Sequence, residues 1–115
     1  IGSLNNLASE YESIGEMEKA HELFHYLSYI QPYEAISHFN LGNFFLRQNQ
    51  HIEAAKCYEV SLNKNPEFTD AYYNIAWILF ESRAYKKAEE YINKGLATDG
   101  SHPELLELKR KLQGV

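Results

Sequence analysis

The run His21-Glu22-Leu23-Phe24-His25 has the spacing in this chain with the clearest chemical potential. Two imidazoles four residues apart share one face of a helix, where they could ligate zinc. The intervening Glu22 could then serve as general base toward a metal-bound water. A hydrolytic centre of this kind also needs a third protein ligand. No Gly-x-x-His extension follows His25, and Glu34 stands too close in sequence to act as the usual third carboxylate. The pair supports weak binding of a divalent ion at most, and a solvated helix face is the simpler reading. No Ser-His-Asp order, glycine-rich phosphate loop or cleft-forming carboxylate pair can be picked out. Cys57 is the sole cysteine, which rules out an internal disulfide framework. The expectation is therefore no catalytic residue, no metal site and no cofactor: the chain is not an enzyme.

The helix carrying His21 and His25 belongs to a series. Pro32 and Pro66 lie 34 residues apart, and Gly100 falls at the next step. Ala20, Ala54 and Ala88 share the step, as do Ala8, Gly42 and Ala76, then Tyr11, Phe45 and Leu79, then Phe24, Tyr58 and Ile92. A period of this length defines a repeat architecture. Each unit holds two stretches of helical rhythm; in the second unit the first stripe is His38, Leu41, Gly42 and Phe45. The small residues let the two helices of a unit approach closely, and the large ones fill the adjoining groove. Gly15, Asn49 and Arg83 occupy the turn between the helices, where a left-handed residue closes the first helix. Proline ends the second helices because it lacks the N–H and disfavours helix in the residue before it. After the third unit, Ser101 and Glu104 read as a capping box ahead of a last helix over 102–113, which covers the open face with Leu105, Leu108 and Leu112.

The in-phase sets Leu4/Leu7/Ala8/Tyr11/Ala20/Phe24/Pro32, His38/Leu41/Gly42/Phe45/Ala54/Tyr58/Pro66 and Tyr72/Ile75/Ala76/Leu79/Ala88/Ile92/Gly100 resemble the tetratricopeptide repeat family over residues 1–102. His38, Arg83 and Gly100 are the departures from its pattern. The resemblance implies an all-α, right-handed solenoid with repeats at 1–34, 35–68 and 69–102 and a capping helix at 103–115. About three such units are a practical minimum, since one helix pair cannot bury both of its faces.

Composition narrows the partner class. The formal charge is −5, which argues against a nucleic-acid phosphate surface. The only basic run, Lys109–Lys111, suits the C-terminal end of the last helix. No apolar stretch reaches membrane-spanning length, Ile75–Phe80 being the longest candidate. A cytoplasmic setting is the expectation. The start at Ile1, in phase with a repeat, reads as a processed or trimmed piece of a longer protein.

In the family this chain resembles, the first helix of each repeat lines a concave groove. That resemblance places Asn6, Phe39, Asn40, Asn43, Arg47, Tyr73, Asn74 and Trp77 on the peptide-binding face. Asn6, Asn40 and Asn74 recur at one place as a potential ladder, whose amides can donate to and accept from a peptide backbone. Phe39, Leu46, Tyr73, Trp77 and Phe80 form an apolar wall, with packing of Trp77 and Phe80 beneath the last helix as the competing reading. Some family members clamp acidic C-terminal tails of heat-shock chaperones with cations; here the matching places hold Asn5, Ser9, Asn40, Asp70 and Asn74, and the cations are missing. Arg47 is the lone groove cation, balanced by Glu12, Asp70 and Glu81. The expected ligand is an extended or short helical segment of another protein, neutral to mildly basic, with apolar side chains. The alternatives are a small chaperone for secreted proteins of the type III secretion class and a scaffold that self-associates through Leu4, Leu7 and Ile14 of the first repeat.

Overall fold

The computed structural model describes residues 2–30 and 34–114, with side chains from Asn6 onward. Pro32 and Tyr33 therefore lie outside the described residues, as do the side chains of Leu4 and Asn5. Among the described residues seven helices follow one another: α1 (Gly2–Ser13), α2 (Met17–Ile30), α3 (Ala35–Arg47), α4 (His51–Lys64), α5 (Thr69–Glu81), α6 (Tyr85–Thr98) and α7 (Pro103–Gln113). They pack as three antiparallel hairpins, α1/α2, α3/α4 and α5/α6, stacked in order, with α7 laid against α5 and α6. The architecture is an all-α solenoid.

The three hairpin turns close in the same way. Gly15, Asn49 and Arg83 adopt φ of 87°, 61° and 64°. The residue after each donates its N–H five residues back: Glu16 to Tyr11, Gln50 to Phe45 and Ala84 to Leu79, at 2.8, 2.9 and 2.8 Å. This is the six-to-one bond of a helix stop with a left-handed residue, and it satisfies carbonyls that the helix leaves unpaired. Only the first turn uses glycine, for which this φ costs nothing. Arg83 is exposed and bears the Cβ strain without compensating burial. Arg83→Gly is therefore expected to raise the unfolding free energy by about 0.5–1 kcal/mol, since relief of roughly 1–2 kcal/mol of left-handed strain exceeds the added chain entropy. Urea denaturation measures it; an unchanged or lower midpoint would count against the strain.

Close approach within hairpins depends on the small residues. Ala8, Ala20, Ala54, Ala76 and Ala88 are fully buried. A Cβ added at Gly42 would stand 2.7 Å from the Tyr58 ring. The central cluster joins Ala54, Tyr58 and Leu62 of α4 to Ala71, Ile75 and Ile78 of α5. The ends of the stack differ. At the start, Leu7 and Ile14 remain 37% and 72% exposed. At the finish, Leu105 and Leu108 of α7 are buried with Ala76 and Ile92.

The cap of α7 is not the Ser101 box. Ser101 donates both its backbone N–H and its hydroxyl to Asp99 Oδ1, which holds it in a local turn. His102 is the N-cap: its Nδ1 accepts from the Leu105 N–H at 3.2 Å, and Pro103 follows in the first turn. With Nδ1 as acceptor, the neutral ring carries its proton on Nε2, which donates to Asp70 Oδ1 of α5 at 2.9 Å.

Candidate functional site

Two clefts open along the face formed by α1, α3 and α5. The first measures about 270 Å³ and is lined by Asn6 and Ser9 of α1, Phe24 of α2, and Asn40, Asn43 and Arg47 of α3. Helical spacing explains the grouping, because 40, 43 and 47 fall on one side of α3. Arg47 is held across the cleft by Glu12: its Nε donates to Oε2 at 2.5 Å and a terminal nitrogen donates to Oε1 at 2.7 Å. This two-point fork fixes the guanidinium and cancels its charge. Of the three carboxylates expected to balance Arg47, only Glu12 pairs with it; Asp70 is engaged by His102 instead.

Asn43 is fixed from beneath. The buried Tyr58 hydroxyl donates to Asn43 Oδ1 at 2.6 Å, and Asn74 Nδ2 donates to the same oxygen at 3.1 Å. Burial pushes the Tyr58 phenol up to about 12, so it stays a neutral donor. The network sets the orientation of the Asn43 amide and ties the third hairpin to the second. Asn6 and Asn40 thus share a cleft, while the third member of the asparagine series, Asn74, reaches it through Asn43.

The second cleft, about 140 Å³, lies between α5 and α7 and is lined by Tyr73, Trp77, Glu104, Glu107, Leu108 and Lys111. Tyr73 stacks on the His102 ring at 6.0 Å. Its phenol is raised by burial and then by the Glu104 and Glu107 carboxylates. Tyr73, Trp77 and Phe80 pack against the cluster that contains Leu105 and Leu108. The last helix therefore takes up part of the apolar wall and forms the other side of this cleft. Phe39 lines neither cleft; its ring sits 4.7 Å from Phe68 and 5.5 Å from Tyr58 in the central packing.

Tyr58 is the site residue that sequence periodicity left in the core. A buried tyrosine hydroxyl needs a partner, which signals a polar neighbour but does not say which. The contributions of α7 have no counterpart in the repeat pattern and become visible only when the helix is docked. His21 and His25 are exposed on α2, with rings 6.1 Å apart. Among the described residues no group of three His, Cys, Asp or Glu is placed to hold a metal ion. Burial, and then Glu53, push the Cys57 thiol up to about 11, which keeps it protonated and unreactive near neutrality.

A family model for the cilia and flagella-associated protein 70 middle TPR-like domain matches residues 4–108. The chain belongs to that family. As a TPR-like domain it superposes on many solved structures. One is the first TPR of Spaghetti (RPAP3) bound to the HSP90 peptide SRMEEVD, with a TM-score of 0.85 and 17% identity over 97% of this chain and 89% of that one. The Sgt2 TPR domain from Aspergillus fumigatus is similar at a TM-score of 0.79 and 24% identity, over 97% and 78% of the two chains. The Yersinia enterocolitica type III secretion chaperone SycD, in complex with a peptide of the translocator YopD, is similar at 0.80 and 20%, over 98% and 86%. These identities establish a shared TPR fold. No curated protein matches the chain. No described helix of this TPR-like domain is long and apolar enough to cross a membrane.

Proposed function

We propose that this TPR-like domain is a non-enzymatic interaction module that holds an extended or short helical segment of another protein along its two clefts. The observation that carries the reading is the convergence of Asn6, Asn40 and Asn43 on one open cleft, with Asn43 fixed by Tyr58 and Asn74. Oriented amides suit a peptide backbone, whose N–H and C=O groups they can match without reading side chains. The second cleft adds Tyr73, Trp77 and Leu108 for an apolar side chain, with Glu104 and Glu107 favouring a neutral to mildly basic segment. Similar solved structures with a peptide bound, from HSP90 in one and from the translocator YopD in another, support peptide capture as the role. Because Arg47 is already paired with Glu12, an acidic tail meets no unopposed cation in the first cleft. The family match directs the search for the partner to proteins of cilia and flagella.

Selection from a displayed peptide library, followed by fluorescence titration of the selected peptide, tests this. The double variant Asn40→Ala/Asn74→Ala should weaken binding by about tenfold or more, equivalent to about 1.4 kcal/mol, while circular dichroism stays helical. Unchanged affinity would remove the asparagines from the proposed contact, and selection of uniformly acidic peptides would overturn the ligand class.

A further inference from the structure

The 34-residue step creates two equivalent furrows between neighbouring hairpins, and they are filled differently. Where α2 meets α3, the floor is Phe44 and Phe45. The His21 ring lies across it, 5.6 Å from Phe44 and nearly parallel, and 5.4 Å from Phe45. One step later α4 meets α5, the floor is Ile78 and Leu79, and the residue in the place of His21 is Ala55. With no ring there, a hollow of about 380 Å³ reaches that floor, lined among others by Ile52, Ala55, Lys56, Glu59, Ile78 and Leu79. At the first furrow a hollow of about 320 Å³ lies outside the His21 ring, against Glu22, His25, Tyr26 and Tyr29. The lip has changed in the same direction. Ile52, 74% exposed, stands where the first furrow has the solvated Glu18. A large aliphatic side chain in water beside an apolar hollow is not what a solvated surface requires.

We infer that the Ala55 hollow is a second binding site, one that receives an aromatic side chain of a partner protein, specifically the indole of a tryptophan. The chain itself displays a related mode of occupancy at the equivalent place, where the His21 ring lies parallel to Phe44 and edge-on to Phe45. The hollow continues the α4/α5 interface outward, because Ile78 belongs to the core cluster that joins those helices. Charge also favours an N–H-bearing ring. Glu59 stands at the edge in the place of His25, and its carboxylate, which accepts from Tyr91, retains acceptor capacity for an indole N–H. An aliphatic side chain offers no such donor, and an indole buries more area than any other side chain. The hollow shares no residue with the two peptide clefts, so both sites can be occupied together.

Amide chemical-shift mapping on the whole domain, with N-acetyl-tryptophanamide as probe, tests the site. Saturable shifts are expected at Ile52, Ala55 and Leu79. Ala55→His, which supplies the ring from within, should weaken the probe by about tenfold or more. His21→Ala should open the first furrow and add saturable shifts at Phe44 and Phe45. N-acetyl-leucinamide should bind clearly more weakly than the indole. Shifts confined to other surfaces, equal binding of the leucine probe, or an Ala55→His variant that binds as the parent does would each overturn the proposal. Should Ala55→His fail to fold, the His21→Ala arm decides, and the absence of new shifts at Phe44 and Phe45 would overturn it.

Discussion

Replacing Tyr58 by alanine is expected to lower the unfolding free energy by about 3–5 kcal/mol. The Tyr58 ring is fully buried, stands where the absent side chain of Gly42 leaves room for it, and contacts the cluster that joins α4 to α5. Truncation opens a cavity there, and a backbone already at close helix spacing cannot collapse to fill it. It also removes the 2.6 Å bond to Asn43, leaving that amide oxygen with Asn74 alone. Tyr58→Phe separates the two effects. It keeps the ring and loses only the hydroxyl, so about 1–2 kcal/mol should go. Domains of this size are commonly stable by about 5–15 kcal/mol, so the alanine variant should approach the unfolding threshold. Because stability in a repeat array is a sum of units and their interfaces, loss at the central hairpin should also broaden or split the urea transition. A Tyr58→Ala loss below about 2 kcal/mol would show that the central packing does not depend on this ring.

Gly95→Val should release the last helix. Gly95 is buried in α6, and a Cβ there would stand 2.6 Å from Leu105 Cδ1 of α7 and 3.0 Å from Tyr72 Cβ of α5. Helix propensity favours the change by only about 0.5 kcal/mol or less, because valine is itself a weak helix former. Overpacking costs about 1–3 kcal/mol, and displacement of α7 also exposes Leu105 and Leu108, which contribute roughly 1.5–3 kcal/mol each when fully buried. The steric terms win, and a net loss of about 3 kcal/mol is expected. Hydrogen exchange locates it: α7 amides should lose protection while α3 and α4 keep theirs. Retained protection in α7 would mean that Leu105 adjusts without undocking. The variant also tests the proposed function, since α7 supplies four of the six residues of the aromatic cleft.

Much of this was legible in the residue order. The 34-residue step located the hairpin turns, and Gly15, Asn49 and Arg83 are all left-handed in the structure. It also identified the thin alanines and the large fillers, because periodic burial follows from helical geometry. What the period could not supply was anything between non-equivalent places. The Tyr58–Asn43 bond joins two helices through a hydroxyl that packing alone would treat as apolar. The Arg47–Glu12 fork selects one carboxylate from several of the right sign. Ser101 satisfied the spacing of a capping box, yet the nearby Asp99 captured it, and His102 beside Pro103 took the cap. Phe39 and the Tyr73–Trp77 wall were read from one stripe, but Phe68 and α7 compete for those rings.

The bond between Asp70 and His102 makes one carboxylate serve two purposes. Asp70 is largely exposed, yet it also anchors the residue that begins α7. A lysine or arginine brought in by a bound segment would compete with the imidazole for that oxygen. Occupancy by the proposed segment and docking of the C-terminal helix would then be linked, and linkage runs both ways. If the proposed segment carries a cation to Asp70, such a guest would loosen the tail of its host, and a host with a loosened tail would hold it more tightly.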